Sequence, residues 1–81
     1  MSDYDLWVDF TRMLDDGRVR TNLRHARPGF VPVAGQHAIV GCEDADPAVA
    51  RILSVDAEAA IEVQVLPGTV DGNRSLLNPA D

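Results

Sequence analysis

The chain has 81 residues, a formal net charge of −6 and an apolar fraction of 46%. That describes one domain with a thin core, because a chain this short buries only about 60–65% of its unfolded surface. The acid balance disfavours a dedicated nucleic-acid binder, whose domains usually run to a pI above about 9. The single cysteine, Cys42, excludes an internal disulfide and fits a reducing cytoplasm.

The opening residues Met1-Ser2-Asp3-Tyr4-Asp5 are acidic and lack a long apolar run, so neither a signal peptide nor a membrane anchor is expected. Every basic residue is arginine, and the abundance of Ala, Val and Asp beside it points to a GC-rich bacterial genome. The charge is uneven. Residues 12–27 carry Arg12, Arg18, Arg20, Arg24 and Arg27 against Asp15 and Asp16, a net of +3, whereas residues 43–62 set six acids against Arg51, a net of −5.

The first element expected is a β-hairpin. Tyr4, Leu6, Val8 and Phe10 alternate with Asp5, Trp7, Asp9 and Thr11, and Val19, Thr21, Leu23 and His25 alternate with Arg18, Arg20, Asn22 and Arg24. Asp16-Gly17 between the runs is a signal for a two-residue turn with positive φ at both positions. A turn centred there sets Phe10 against Leu23, Val8 against His25 and Leu14 against Val19 on the inner face. On the outer face it sets Asp15 against Arg18, Asp9 against Arg24 and Met13 against Arg20. Cross-strand charge pairs of this kind contribute about 0.2–1 kcal/mol each and need no nucleic acid to explain them.

Pro28-Gly29 then suits a type II turn, and Pro32 keeps residues 28–36 out of a central strand. A short apolar run at 37–40 stops at Gly41 and the acidic loop Cys42-Glu43-Asp44-Ala45-Asp46-Pro47. The stretches AVARILSVD, AEAA and IEVQVLPG read as strand, turn and strand, and Asp71-Gly72 turns the tail once before Leu76 and Leu77. The expected architecture is all-β: a small, five-stranded, partly open SH3-like β-barrel with an N-terminal β-hairpin and a short C-terminal tail. Residues 1–68 form the domain and residues 69–81 the tail.

Residues 31–66 carry the sequence VAGQHAIVG, a loop, ARILSVD and IEVQVLP, with Gly35, Gly41, Ala50 and Asp56 spaced along it. In this layout the segment resembles a KOW-type SH3-like small β-barrel. The resemblance implies a strand opened by one glycine and ended by a second, then a returning strand that reaches an aspartate before the last hairpin. Members of that family that bind RNA tend to carry basic residues in the loop occupied here by Cys42, Glu43, Asp44 and Asp46, so the resemblance implies the fold more than RNA binding.

The expected binding residues are Trp7, Arg18, Arg20 and Arg24. By parity Trp7 points away from Leu6, Val8 and Phe10, and a tryptophan beside arginines has the composition of an interaction hot spot. Either Leu76 and Leu77 or the 28–34 loop covers it, or it is an exposed anchor for a partner. No catalytic residue is expected: Cys42, His37 and His25 have no supporting flanks, and His25 falls on the inner face. No metal and no cofactor are expected, because Glu43, Asp44 and Asp46 lack the glycine bend and terminal glutamate of a calcium loop. The expected role is a small cytoplasmic, non-catalytic protein–protein interaction or accessory domain. Its partner is an unidentified protein, or a second copy pairing through a strand edge. The runner-up is a KOW-like nucleic-acid-associated domain using the arginines of the second strand.

Overall fold

The computed structural model describes residues 4–43 and 45–77 of the chain. Asp44 of the acidic loop and residues 78–81 of the tail lie outside the described residues. Five strands form: β1 (Leu6–Trp7), β2 (Arg18–Asn22), β3 (His37–Cys42), β4 (Ala45–Val55) and β5 (Ala60–Val65). They make one mixed sheet in the order β1-β3-β4-β5-β2, curled into a half-barrel compatible with a small SH3-like, partly open barrel. β3, β4 and β5 are a consecutive antiparallel meander; β2 joins β5 antiparallel and β1 joins β3 parallel.

Period-two patterning builds the interior. Val19, Ala38, Val40, Ala50, Ile52, Ile61 and Val63 point to the concave side and meet Leu6 and Val8 in one buried cluster. Ala38 sits directly across from Ala50, and Val19 across from Val63. Register shifts between Val40 and Cys42 and between Ile52 and Ser54 bend the long strands, as bulges do, and give the sheet its curl. Val49 is fully buried too but stands outside that cluster, and its carbonyl accepts from Leu66 N–H at 2.9 Å where the chain leaves β5. The tail then winds into a 3₁₀ turn over Asp71–Leu76, with Leu76 and Leu77 half-buried.

The expected N-terminal hairpin does not form. β1 and β2 are the two opposite edges of the sheet, and the partners of β2 lie in β5: Arg18 with Gln64, Val19 with Val63, Arg20 with Glu62. Two short polar side chains cause the departure. Asp9 Oδ1 accepts from Thr11 N–H at 3.0 Å and from Thr11 Oγ1–H at 2.5 Å, which winds Phe10–Arg12 into a 3₁₀ turn. Asn22 Oδ1 accepts from Arg24 N–H at 3.0 Å and does the same to Leu23–His25, so β2 stops before His25 reaches the inner face. Both runs lose their strand before they can pair with each other.

The Asp16-Gly17 turn does form, but as a three-residue loop. Only Gly17 has positive φ (89°), Gly17 N–H donates to Leu14 carbonyl at 2.9 Å, and Leu14 N–H donates to Arg18 carbonyl at 2.8 Å. The loop hands β2 to β5: Val65 N–H donates to Gly17 carbonyl at 2.9 Å, and Gln64 Nε2–H donates to the carbonyl of Asp16. A Cβ on Gly17 would come within 2.9 Å of Val65 carbonyl oxygen, so the approach itself requires glycine. Pro28-Gly29 makes the expected type II turn, with φ 87° at Gly29 and Phe30 N–H on Arg27 carbonyl at 2.9 Å.

β1 is held by Asp5 rather than by its own short ladder. Asp5 N–H donates to Ile39 carbonyl (2.7 Å), its carbonyl accepts from Arg27 N–H (2.7 Å), and Oδ2 accepts from Ile39 N–H (3.1 Å). Oδ1 takes both Nε–H (3.1 Å) and Nη2–H (3.0 Å) of Arg27. Replacing Asp5 by alanine leaves Ile39 N–H without its acceptor, so Asp5→Ala is expected to lower the unfolding free energy by about 1–3 kcal/mol and to speed amide exchange at Ile39. Asp15→Ala, on an exposed loop position, is expected to stay within about 0.5 kcal/mol in the same denaturation series. A stabilising change sits in the β4–β5 turn, where Ala59 has φ 67° while Asp56 Oδ1 accepts from Glu58 and Ala60 N–H. Ala59→Gly is expected to raise stability by up to about 1 kcal/mol in chemical denaturation, since a left-handed alanine carries about that strain.

Candidate functional site

The inner parity of β1 belongs to Leu6, fully buried, so Trp7 is left on the outside. It is half-buried rather than bare. His25 lies against the indole with ring centroids 5.1 Å apart at 42°. The indole Nε1–H donates to Glu43 Oε2 at 3.2 Å, and the Trp7 carbonyl accepts from Thr21 Oγ1–H at 2.6 Å. The half-cover therefore comes from the turn that follows β2 and from the acidic loop. His25, expected on the inner face, is exposed because the Asn22 cap turns the chain outward one residue too soon for it.

That same turn carries Arg24 to the Trp7 side. Arg24, Arg20 and Trp7 line one open concavity of about 430 Å³ together with Asp9, Arg12 and His25. Arg20 projects from β2 with 82% of its side chain exposed, 4.0 Å from Glu62 across the ladder. Arg12, 84% exposed, stands 3.6 Å from Asp9. Arg24 has no acidic partner among the described residues. Three of the four expected binding residues are thus brought together. Arg18 is not: Asp16 Oδ2 accepts from its Nε–H at 2.8 Å, and it lines an adjacent hollow with Leu14, Val19 and Arg20. The expected pairs Asp15–Arg18 and Asp9–Arg24 are replaced by Asp16–Arg18 and Asp9–Arg12.

Sequence reasoning missed His25 as an outward ring. The signal was present in Asn22, whose side chain reaches a backbone N–H two residues on and so ends a strand. On the far side of Trp7 a second hollow is lined by Tyr4, Arg27, Pro28 and Glu43. Arg27 is engaged there by Asp5 and lies 6.0 Å from the Phe30 ring.

Hydrogen bonds set the ionisation of the carboxylates around the site. Glu43 is held below the usual glutamate range by its own backbone N–H and then by the Trp7 indole N–H. Asp9 is lowered chiefly by the Thr11 hydroxyl, then by Thr11 N–H, and Asp16 chiefly by Arg18 N–H. Cys42 is free and half-buried. Among the described residues no three metal-ligating side chains cluster, and no helix is long and apolar enough to cross a membrane. Comparison with protein families, curated proteins and solved structures finds no match to this chain.

The Trp7–Glu43 bond makes a pH signature. Because the folded carboxyl is lowered, it stays ionised and keeps its charged bond to the indole through the ordinary glutamate range, until pH falls through the lowered value. Trp7 emission is expected to titrate on the acid side with a midpoint below that of a free glutamate. Glu43→Gln is expected to remove that transition in a fluorescence titration that leaves the chain folded.

Proposed function

We propose that this chain is a small, non-catalytic, cytoplasmic protein-binding domain that receives an acidic segment of a partner protein on the Trp7 face. One observation carries the reading: Trp7 lies tilted against His25 in a hollow where Arg12, Arg20 and Arg24 outnumber the single acid Asp9, on a molecule whose formal net charge is −6. Tryptophan and arginine dominate binding hot spots because both bury large contact area, and arginine is the cation that loses hydration most readily. An arginine with no acidic partner, in a chain rich in acids, supports a face kept for carboxylates from outside. The half-buried indole is already oriented by Glu43 and His25, so a partner meets a pre-formed surface rather than a mobile side chain.

The same tilted indole–imidazole pair beside arginines supports a second reading, a KOW-like nucleic-acid-associated domain in which single-stranded bases stack on Trp7. The net charge weighs against it, since RNA carries a phosphate on every nucleotide whereas an acidic protein segment can space its carboxylates with neutral residues.

The two readings separate in one titration at low salt, following Trp7 emission with a short oligoglutamate peptide and with a mixed-sequence single-stranded RNA. The peptide is expected to shift the emission, and Arg24→Glu to weaken that binding by about tenfold or more. A response to RNA alone would replace the first reading by the second. No response to either would remove the Trp7 face as a binding site.

A further inference from the structure

At β2 the sheet ends in an edge that Leu14 covers at Arg18 and the Phe10–Arg12 turn approaches, which leaves the backbone open at Arg20. The strand's hydrogen-bonding directions alternate, and the flanking bonds identify which residues face which way. Val65 N–H on Gly17 carbonyl and Leu23 N–H on Ala59 carbonyl, both 2.9 Å, assign the odd-numbered residues to β5. Leu14 N–H on Arg18 carbonyl at 2.8 Å assigns the even-numbered residues to the other side. On that outer side the backbone groups of Arg18 are engaged, the carbonyl by Leu14 and the N–H by Asp16 Oδ1 at 3.1 Å. The N–H and carbonyl of Arg20 have no partner among the described residues. Between β2 and β1, the strand at the opposite edge of the sheet, the one hydrogen bond among the described residues runs from the Thr21 hydroxyl to the Trp7 carbonyl. The hollow holding Trp7 and Arg24 and the hollow holding Leu14 and Arg18 meet at this gap, and both are lined by Arg12 and Arg20.

The geometry points to strand addition at this opening: an extended acidic segment of a partner protein passes along β2 at Arg20, exchanges backbone hydrogen bonds with that residue, and sets its carboxylates among Arg12, Arg20 and Arg24. This rests on the reading of the Trp7 face as a protein-binding site and names how the partner is held. Main-chain bonds to a sheet edge give affinity without regard to sequence, and the flanking side chains select by charge. A second copy of the chain is a poor occupant, because β2 against β2 brings Arg18 and Arg20 toward the same residues of the other copy, and like charges across a ladder repel. A segment bearing glutamate or aspartate at alternate positions meets the arginines on one side and leaves its other side free.

Amide exchange on the full chain, read residue by residue by NMR, tests this with a short peptide of alternating glutamate and valine as probe. Exchange at Arg20 is expected to slow by about tenfold or more on saturation, while exchange at Ile39 stays unchanged. A peptide methylated on its backbone nitrogens, which cannot donate to Arg20 carbonyl, is expected to lose the effect. Arg20→Pro removes only a donor that faces away from β5 and is expected to bind about tenfold more weakly than Arg20→Ala. If the proline variant fails to fold, the methylated peptide alone decides. A Trp7 shift with unchanged exchange at Arg20 and equal binding of the methylated peptide would overturn strand addition and leave the Trp7 face standing. Silence of both Trp7 and Arg20 would overturn both. Slowing at Arg20 that grows with protein concentration and needs no peptide would overturn the acidic segment in favour of a second copy.

Discussion

The carboxylate of Asp5 is the joint on which this small barrel closes. One oxygen takes the backbone N–H of Ile39 in β3, and the other takes two donors of the Arg27 guanidinium. The backbone of the same residue bonds Ile39 on one side and Arg27 on the other. A two-residue strand has too few ladder bonds to hold its place, so β1 depends on this residue. With β1 docked, Leu6 and Val8 complete the buried cluster, and Trp7 is left outside at the rim. By accepting from both a guanidinium and a backbone amide, the carboxylate also brings the segment after β2 up to the N-terminal segment.

Short polar side chains at the corners of the sheet do the rest of the steering. Asp9, Asp16, Asn22 and Asp56 each accept from a backbone N–H two residues further on. Each ends or begins a strand at that point, because the side chain offers the backbone a bond that competes with the ladder. Two of these corners, Asp9 and Asn22, stand on either side of the gap between the sheet edges, and by ending their strands early they leave that gap open. The candidate site is therefore a product of strand termination. Arg12 follows from the Asp9 corner, Arg24 and His25 from the Asn22 corner, and Trp7 from the clasped strand between them.

Much of the architecture was legible from alternation. The meander of β3, β4 and β5 follows from apolar runs and turn signals, and the inward Ile61 and Val63 and the outward Trp7 from period two; the inward Ala38 and Val40 do not, because Ile39 between them is apolar too. Alternation reports which way a side chain points but not which strand lies alongside, and that is where the hairpin expectation failed. Val19 is inward whether its neighbour is Leu14 or Val63; only the tertiary packing chooses Val63. The Asp16-Gly17 pair was a sound turn signal, yet the loop it forms feeds β2 to a strand 38 or more positions later in the chain. In the site, Arg20 and Arg24 could be found from charge and parity. His25 could not, because its outward position depends on Asn22 acting as a cap rather than as a strand residue.

The connectivity also sets an order of events as the chain is made. β3, β4 and β5 are joined by tight turns and need only one another, whereas Leu6 waits for Val40 and Val19 waits for Val63. The N-terminal third of the chain thus emerges first and finds its place last, and contacts that span so much sequence slow folding and lengthen exposure of unpaired strands. The side-chain bonds at Asp9 and Asn22 span only two residues and need no partner strand, so nothing in them has to wait for β5.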